Sequence, residues 1–400
     1  MEFATIRLSP TQPVTQVKNY YWRIAGFYFF YYAFIGMFAP YWSLYLQSIR
    51  FSAVEIGILM SVQPVMRMLA PSLWGWLADH TGKRLLVVQV AASLSAIFYL
   101  GVFVTTSFWG MLLVLALMSF FWSASMPLVE ATTLSYLGKQ TARYGRLRSW
   151  GSVGFIGSVV GLGYAFDYIA ISWLLWAGLI CELGILLFSR QLPETQVVPH
   201  HTDQQPILKI FLRPSVMLLF GACFLMSAAH GPYYTFFSIY LVEHGYAKSA
   251  VGGLWALGVI CEIGVFILMP RLAHRYGFMR ILIASFALAV VRFMMIGWCV
   301  DFLLLLLIAQ VLHAATFGAY HAASVGLIHE LFQGKHQSRG QAMFGSLTYG
   351  AGGMLGGLIS GPVWQYYGAN MLYTCSALMA LLGLILVGWS SSGRFLQAAH

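Results

Sequence analysis

Charge is scarce in this chain. Only 8% of its 400 residues are Asp, Glu, Lys or Arg, against about 25% in soluble globular domains, and 60% are hydrophobic. Such a composition excludes an ordinary water-soluble globule. Cysteine is sparse too. Cys181, Cys223, Cys261, Cys299 and Cys375 all sit in apolar runs with no paired or metal-ligand spacing, which excludes a disulfide framework and reads as packing. His200 and His201 adjoin each other in a polar stretch with no further ligand spaced for zinc. Clustered His and Asp, a Ser with a convergent base, and a phosphate-binding loop are all lacking, so no enzyme is expected and no cofactor. The segment through Val17 is polar and carries Pro10 and Pro13, unlike a cleavable signal, so the first apolar run is expected to remain.

What the chain has instead is apolar runs of about 20 residues, the length that crosses a hydrocarbon core of about 30 Å. Twelve are found. They begin near Tyr20, Ile56, Leu85, Phe108, Trp150 and Ser172, and again near Val216, Ser249, Ile281, Phe302, Ala342 and Asn370. Between the two sets runs a polar, proline-bearing stretch with Pro193, Pro199, Pro206 and Pro214. The expected fold is an all-α membrane protein of twelve transmembrane helices in two pseudo-symmetric six-helix bundles: residues 1–188, a cytoplasmic linker 189–213, and residues 214–400. Of the 22 Lys and Arg, 18 fall on one side of this topology, Arg50 and Lys248 on the other, and Arg67 and Arg292 within spans. Basic loops mark the cytoplasmic side, so both termini are expected there. The net charge of +10 is then mostly an orientation signal, and no soluble domain exists to bind nucleic acid.

The few ionisable residues inside the spans carry the functional information, since charge in hydrocarbon is kept for pathways and proton relays. Glu130 and Arg148 are symmetric about a turn at Lys139, and Glu262 and Arg292 about Gly277, so each hairpin is expected to bring acid and arginine to similar depth. Arg67 lies about 16 Å from either end of its span at 1.5 Å per residue, beyond snorkelling reach, and is expected to face a central cavity as a fixed cation for a substrate carboxylate. Glu182, His230 and His321 are left open between packing and the cavity. Tyr28 and Tyr32, with Phe38 and Trp42, form one face of an aromatic first span that would stack on a ring-shaped substrate. Gly157 and Gly161, and Gly352, Gly353, Gly356, Gly357 and Gly361, have spacing that lets helices approach closely.

An internal repeat ties the halves together. Pro40-Tyr41, Tyr45-Leu46, Ser52-Ala53 and Gly57 are echoed by Pro232-Tyr233, Tyr240-Leu241, Ser249-Ala250 and Gly252. Arg148 before Gly151-Ser152 is echoed by Arg339 before Gly345-Ser346. Duplicated halves with a site between them are the architecture of alternating-access carriers.

The run Gly75-Trp76-Leu77-Ala78-Asp79-His80-Thr81-Gly82-Lys83-Arg84 resembles the loop signature of the major facilitator superfamily. Arg67 to Trp76, Tyr144 to Ser152, Leu312 to Phe317 and Arg339 to Ala342 resemble a narrower group, the bacterial phenylpropionate permease family, related to lactose permease and nucleoside proton symporters. The resemblance implies proton-coupled uptake of a small solute across the bacterial cytoplasmic membrane by a monomer, with the proton gradient as driving force. It implies that Glu130 and Arg148 bind substrate, that Glu262, Arg292 and His313 form the proton network, and that Asp79 and Arg84 form a gate. Where lactose permease has a proton-carrying carboxylate this chain has Thr316. Glu262 is therefore taken as the carrier, because Arg292 offers it a partner that substrate would displace. A drug and proton antiporter of the superfamily would show a glycine-proline motif in the fifth span, and Gly154 to Phe166 contains no proline. The cations suit an aromatic or other organic acid, and the acids suit the hydroxyls of sugars or nucleosides.

Overall fold

The computed structural model describes residues 14–138, 140, 143–194 and 208–391, with side chains omitted for 14–19 and 335. Lys139, Pro10, Pro13, Arg394 and the stretch with Pro199, His200, His201 and Pro206 lie outside the described residues.

Almost everything described is helix. The first six spans are α1 (Val14–Ser48), α2 (Ala53–Thr81), α3 (Arg84–Tyr99), α4 (Phe108–Leu137), α5 (Tyr144–Phe166) and α6 (Leu174–Ser189). A single turn, Leu208–Phe211, precedes α7 (Pro214–Glu243), α8 (Lys248–Tyr276), α9 (Phe278–Trp298) and α10 (Leu303–Leu331). The remaining apolar stretch, Gln337–Ser391, is 55 residues long, far beyond what one crossing needs. It divides at Gly368, whose φ of 78° and ψ of 178° no helix contains, giving α11 (337–367) and α12 (369–391). Twelve helices result among the described residues, arranged as two pseudo-symmetric bundles of six.

Local signals place the ends. Ser52 and Glu55 form a reciprocal capping box at the start of α2. Gly82 closes the same helix in the left-handed region, with φ 65°. Ser107 accepts the Gly110 amide to open α4, and Pro214 occupies the first turn of α7. Two π-helical segments interrupt the C-terminal half, Ala314–Ala319 within α10 and Gly345–Gly352 within α11.

The two bundles meet through a pair of matching contacts, α2 on α11 and α5 on α8. Each is a backbone-to-backbone seam at glycine. A Cβ on Gly57 would come within 2.8 Å of the Gly357 carbonyl oxygen, and one on Gly252 within 2.5 Å of the Val159 carbonyl oxygen. Gly57 and Gly252 are the residues that the internal repeat matched. Gly361 faces the first turn of α2 as Gly163 faces that of α8. Of the glycines expected to allow close approach, Gly352, Gly356, Gly357 and Gly361 do so, whereas Gly157 and Gly161 meet open space. The rotation of α5 turns Gly154 and Gly163 towards neighbouring helices instead, Gly154 against the Phe29 backbone of α1.

The same symmetry closes one end of the molecule. The first amides of a helix have no partner within it and form a weakly positive site. Asp167, just past α5, accepts from the Lys248 and Ser249 amides of α8 at 2.8 and 3.3 Å, and the Lys248 ammonium donates to the Phe166 carbonyl at 3.2 Å. Gln365, late in α11, accepts from the Val54 amide of α2 at 3.4 Å. Gln47 donates to Glu243 at 3.0 Å beside them. Each half thus caps a helix of the other. Among the described residues, the hydrogen bonds joining the halves all lie at this end, the one opposite Asp79, Arg84 and Gly277.

Hydrogen bonding by Ser249, reinforced by the Ser249 and Lys248 amides, holds the exposed Asp167 carboxyl below the usual carboxylate range. When the latch opens those donors leave and the pKa rises. Closure is therefore favoured above the open-state pKa and loses this contribution as pH falls through the closed-state value. Spin labels on the turns after α5 and α7 should move apart on acidification. Asp167→Ala should separate them at neutral pH and abolish that acid response.

Candidate functional site

α4 and α5 carry the first acid and arginine pair, and the structure brings it together. Arg148 Nε lies 3.7 Å from Glu130 Oε1, with both side chains about one-third exposed, at 33% and 37%. That separation is too long for a hydrogen bond, so Glu130 attracts the guanidinium without occupying it. Tyr144, one helical turn before Arg148, donates to Glu130 Oε1 at 3.2 Å. Arg148 Nη2 donates to the Tyr32 hydroxyl, and the guanidinium stands 4.0 Å from the Tyr32 ring centroid. Gly151 makes room for this, since a Cβ there would meet Tyr32 Cδ2 at 2.7 Å.

Tyr28 also lies against Arg148, whose guanidinium carbon is 5.8 Å from the Tyr28 ring centroid. It is fully buried, with its hydroxyl 3.5 Å from Thr133 Oγ1 of α4. Phe38 and Trp42 are buried too and stack on one another at 5.1 Å. Of the expected aromatic face, Tyr32 alone is half-buried. Arg67 is exposed and lies 5.4 Å from the Trp122 ring centroid, a cation backed by an aromatic face.

The second pair does not form as expected. Glu262 Oε1 lies 2.7 Å from His313 Nε2 of α10, with the two side chains 13% and 5% exposed. Arg292 is wholly buried and makes no ion pair among the described residues. It donates to the Ala309 carbonyl at 3.0 Å, lies 3.3 Å from His230 Nε2 and 3.4 Å from Thr316 Oγ1, and stands 4.4 Å from the Tyr233 ring. Symmetry about Gly277 sets equal depth but not adjacency. α8 packs along α10 and barely touches α9, so the acid meets the histidine first. Gly258 and Gly318 make that meeting possible. A Cβ on Gly258 would sit 3.2 Å from His313 Cδ2, and one on Gly318 3.3 Å from Glu262 Cγ.

A second layer was not singled out by sequence reasoning. Gln310 accepts from the Tyr233 hydroxyl at 2.8 Å and lies three residues before His313, a spacing that places both on one helical face. Tyr144 opens the run that ends in Arg148. Of the histidines left open, His230 is buried, with Nδ1 2.9 Å from the Met226 carbonyl, and half-buried His321 pairs with Tyr349 of the α11 π-segment at 2.7 Å. Asp79 and Arg84 flank the Gly82 turn without an ion pair between them, and Arg84 Nε is buried without a partner. Glu182 is wholly buried in α6.

A model of the MFS_1 like family matches residues 21–375. The chain belongs to this family. Among curated relatives of this MFS_1-like chain, the Probable 3-phenylpropionic acid transporter of Escherichia coli (strain K12) is 29% identical over 369 residues, covering 91% of this chain and 96% of that one. The Maltose permease of Geobacillus stearothermophilus is 25% identical over 367 residues, 90% and 93% of the two chains. The solved structure of the nucleoside transporter NupG superposes with a TM-score of 0.80 at 18% identity, covering 93% of this chain and 98% of that one. The fold is that of the major facilitators, and this MFS_1-like chain is a multi-pass secondary transporter of small solutes.

A double-mutant cycle tests the altered pairing. Thermal unfolding in detergent of Glu262→Gln, His313→Ala and their combination should give a coupling of about 1–3 kcal/mol, within the range for contacting residues. Glu262→Gln combined with Arg292→Met should give a smaller one.

Proposed function

We propose that the chain is a proton symporter that imports a small organic acid, aromatic for preference, across the bacterial cytoplasmic membrane. The carrying observation is the state of Arg148. It is one-third exposed, stacked on Tyr32 and only loosely attracted by Glu130 at 3.7 Å. A substrate carboxylate takes up the guanidinium by paired charge-assisted hydrogen bonds, and its ring lies against Tyr32. Arg67 on Trp122 supplies a second cation. The name carried by the E. coli relative, a probable 3-phenylpropionic acid transporter, agrees with this chemistry.

The opposite wall holds the proton. A carboxyl and an imidazole 2.7 Å apart share one proton, either as a neutral pair or as an ion pair. Glu262 is the carrier and His313 its partner, with Arg292 behind them as a fixed charge that His230 and Thr316 orient. Solute and proton load together from one side, the halves rock about the glycine seams, and both leave on the other. The excess of Lys and Arg around Asp79, Arg84 and Arg275 supports a cytoplasmic location for that end and for the termini. The bonds at the Asp167 end then make this conformation the one closed to the outside. The cavity lies between the chain's own halves, so a monomer suffices, and its parts are the bilayer, the solute and protons.

A sugar or nucleoside reading has one observation in its favour. The partly exposed Glu130 carboxylate, steadied by Tyr144, is an acceptor suited to hydroxyl donors, and the relatives include permeases named for maltose and nucleosides.

Proteoliposomes loaded with a pH dye test the proposal. Phenylpropionate added outside should acidify the lumen, galactosides and nucleosides should not, and Glu262→Gln should abolish the signal. Solute entry in the wild type without acidification would overturn the symport reading.

A further inference from the structure

Glu182 plays no part in the site just described, yet its surroundings are unusual. It is 0% exposed, and neither carboxyl oxygen has a hydrogen-bond partner among the described residues. Among the described residues no cation lies within ion-pair distance of it. The titratable groups facing it are Tyr31 from α1 and Tyr99 from α3, with Cys181 beside it on its own helix. Tyr99 already donates to the Leu175 carbonyl at 3.0 Å. Ser95 of α3 is the hydroxyl within its reach, and Ser95 donates to the Met118 carbonyl at 3.4 Å.

A carboxylate buried without a counter-ion costs many kcal/mol, and such a group neutralises instead. Glu182 therefore carries its proton in this conformation. Even the neutral acid is under-bonded. Trp122 Nε1, Ser119 Oγ and Ser125 Oγ of α4 are buried without partners. The Trp122 ring stacks on Tyr31 with centroids 4.2 Å apart, and exposed Arg67 stands 5.4 Å from the Trp122 centroid. From exposed Arg67 to buried Glu182 the order is thus a cation, two stacked rings and an acid. Arg67 lacks a carboxylate partner among the described residues, as Glu182 lacks a cation.

We infer that Glu182 is a second proton site of the transport cycle, in the half opposite Glu262 and His313, with Arg67 as the charge that replaces its proton. α1 carries Tyr31 and packs against both α5 and α6. When α1 shifts on rocking, Tyr31 leaves Trp122, Arg67 and Glu182 come within reach of one another, and the O–H bond of Glu182 breaks. The carboxylate keeps the electron pair, balanced by Arg67, and the proton passes to the cavity. In the return step the proton is taken back and Arg67 is freed for a solute anion. This rests on the symport reading above.

Infrared spectroscopy of the full chain in lipid tests it. At neutral pH the wild type should show the carbonyl band of a protonated carboxyl, lost in Glu182→Gln and kept in Glu262→Gln. Saturating phenylpropionate, by occupying Arg67, should preserve the band to higher pH in the wild type, and Arg67→Gln should preserve it without solute. In proteoliposomes Glu182→Gln should carry fewer protons per phenylpropionate than the wild type. Should that variant fail to assemble, carbodiimide labelling of the wild type with peptide mass mapping reports the same proton, since the reagent needs a protonated carboxyl. A band unaffected by Glu182→Gln, no labelling of Glu182, or an unchanged proton ratio would overturn the inference. An unchanged ratio with coupling intact leaves the Glu262 reading standing, whereas no proton movement in the wild type removes both.

Discussion

The cost of placing charge in hydrocarbon organises this molecule. Every ionisable side chain within the spans must be partnered, hydrated in the cavity or neutral, and the three solutions are each visible. Glu130 and Arg148 are loosely paired and wet. Glu262 and His313 are in contact and nearly dry. Glu182 is alone and dry. A gradation of this kind separates a substrate group, which must be reachable, from a proton group, which must be shielded until its partner moves.

Rocking requires that the seam between the halves be slippery. Close packing at Gly57, Gly357 and Gly361, and at Gly252 and Gly163, brings backbone against backbone and only the small Ser61 and the Tyr41 hydroxyl into the seam. The latch adds a reversible stop. Asp167 and Gln365 are matched by the pseudo-symmetry of the fold, each capping a helix of the other bundle. Helix amides that would otherwise face solvent become the means of closing one end, and the charged member of the pair makes that closure pH-dependent.

Much of this was legible in the sequence. Apolar length marked twelve crossings, the last two beginning near Ala342 and Asn370, because hydrocarbon thickness admits few alternatives. The repeat foretold that Gly57 and Gly252 would play equivalent parts. Glu130 and Arg148 were found from spacing about one turn. The same argument misplaced Glu262 and Arg292, because depth along a helix is readable from residue number while the identity of the neighbouring helix is not. Tyr28 and Tyr32 show the same limit around the helix axis: both lie against Arg148, and only packing reveals that Tyr28 is buried while Tyr32 is half-buried. The π-segments that seat Thr316 and Tyr349 left no mark in composition or periodicity.

The central claim is that filling the Arg148 wall with an anion and loading a proton on Glu262 are linked. Linkage is reciprocal, so it is measurable at equilibrium without any flux. Calorimetric titration of phenylpropionate into the detergent-solubilised chain, repeated in two buffers of different ionisation enthalpy, counts protons taken up on binding. The account predicts net proton uptake in the wild type and its loss in Glu262→Gln with binding retained. Binding with no proton uptake at any pH from acid to alkaline would contradict it.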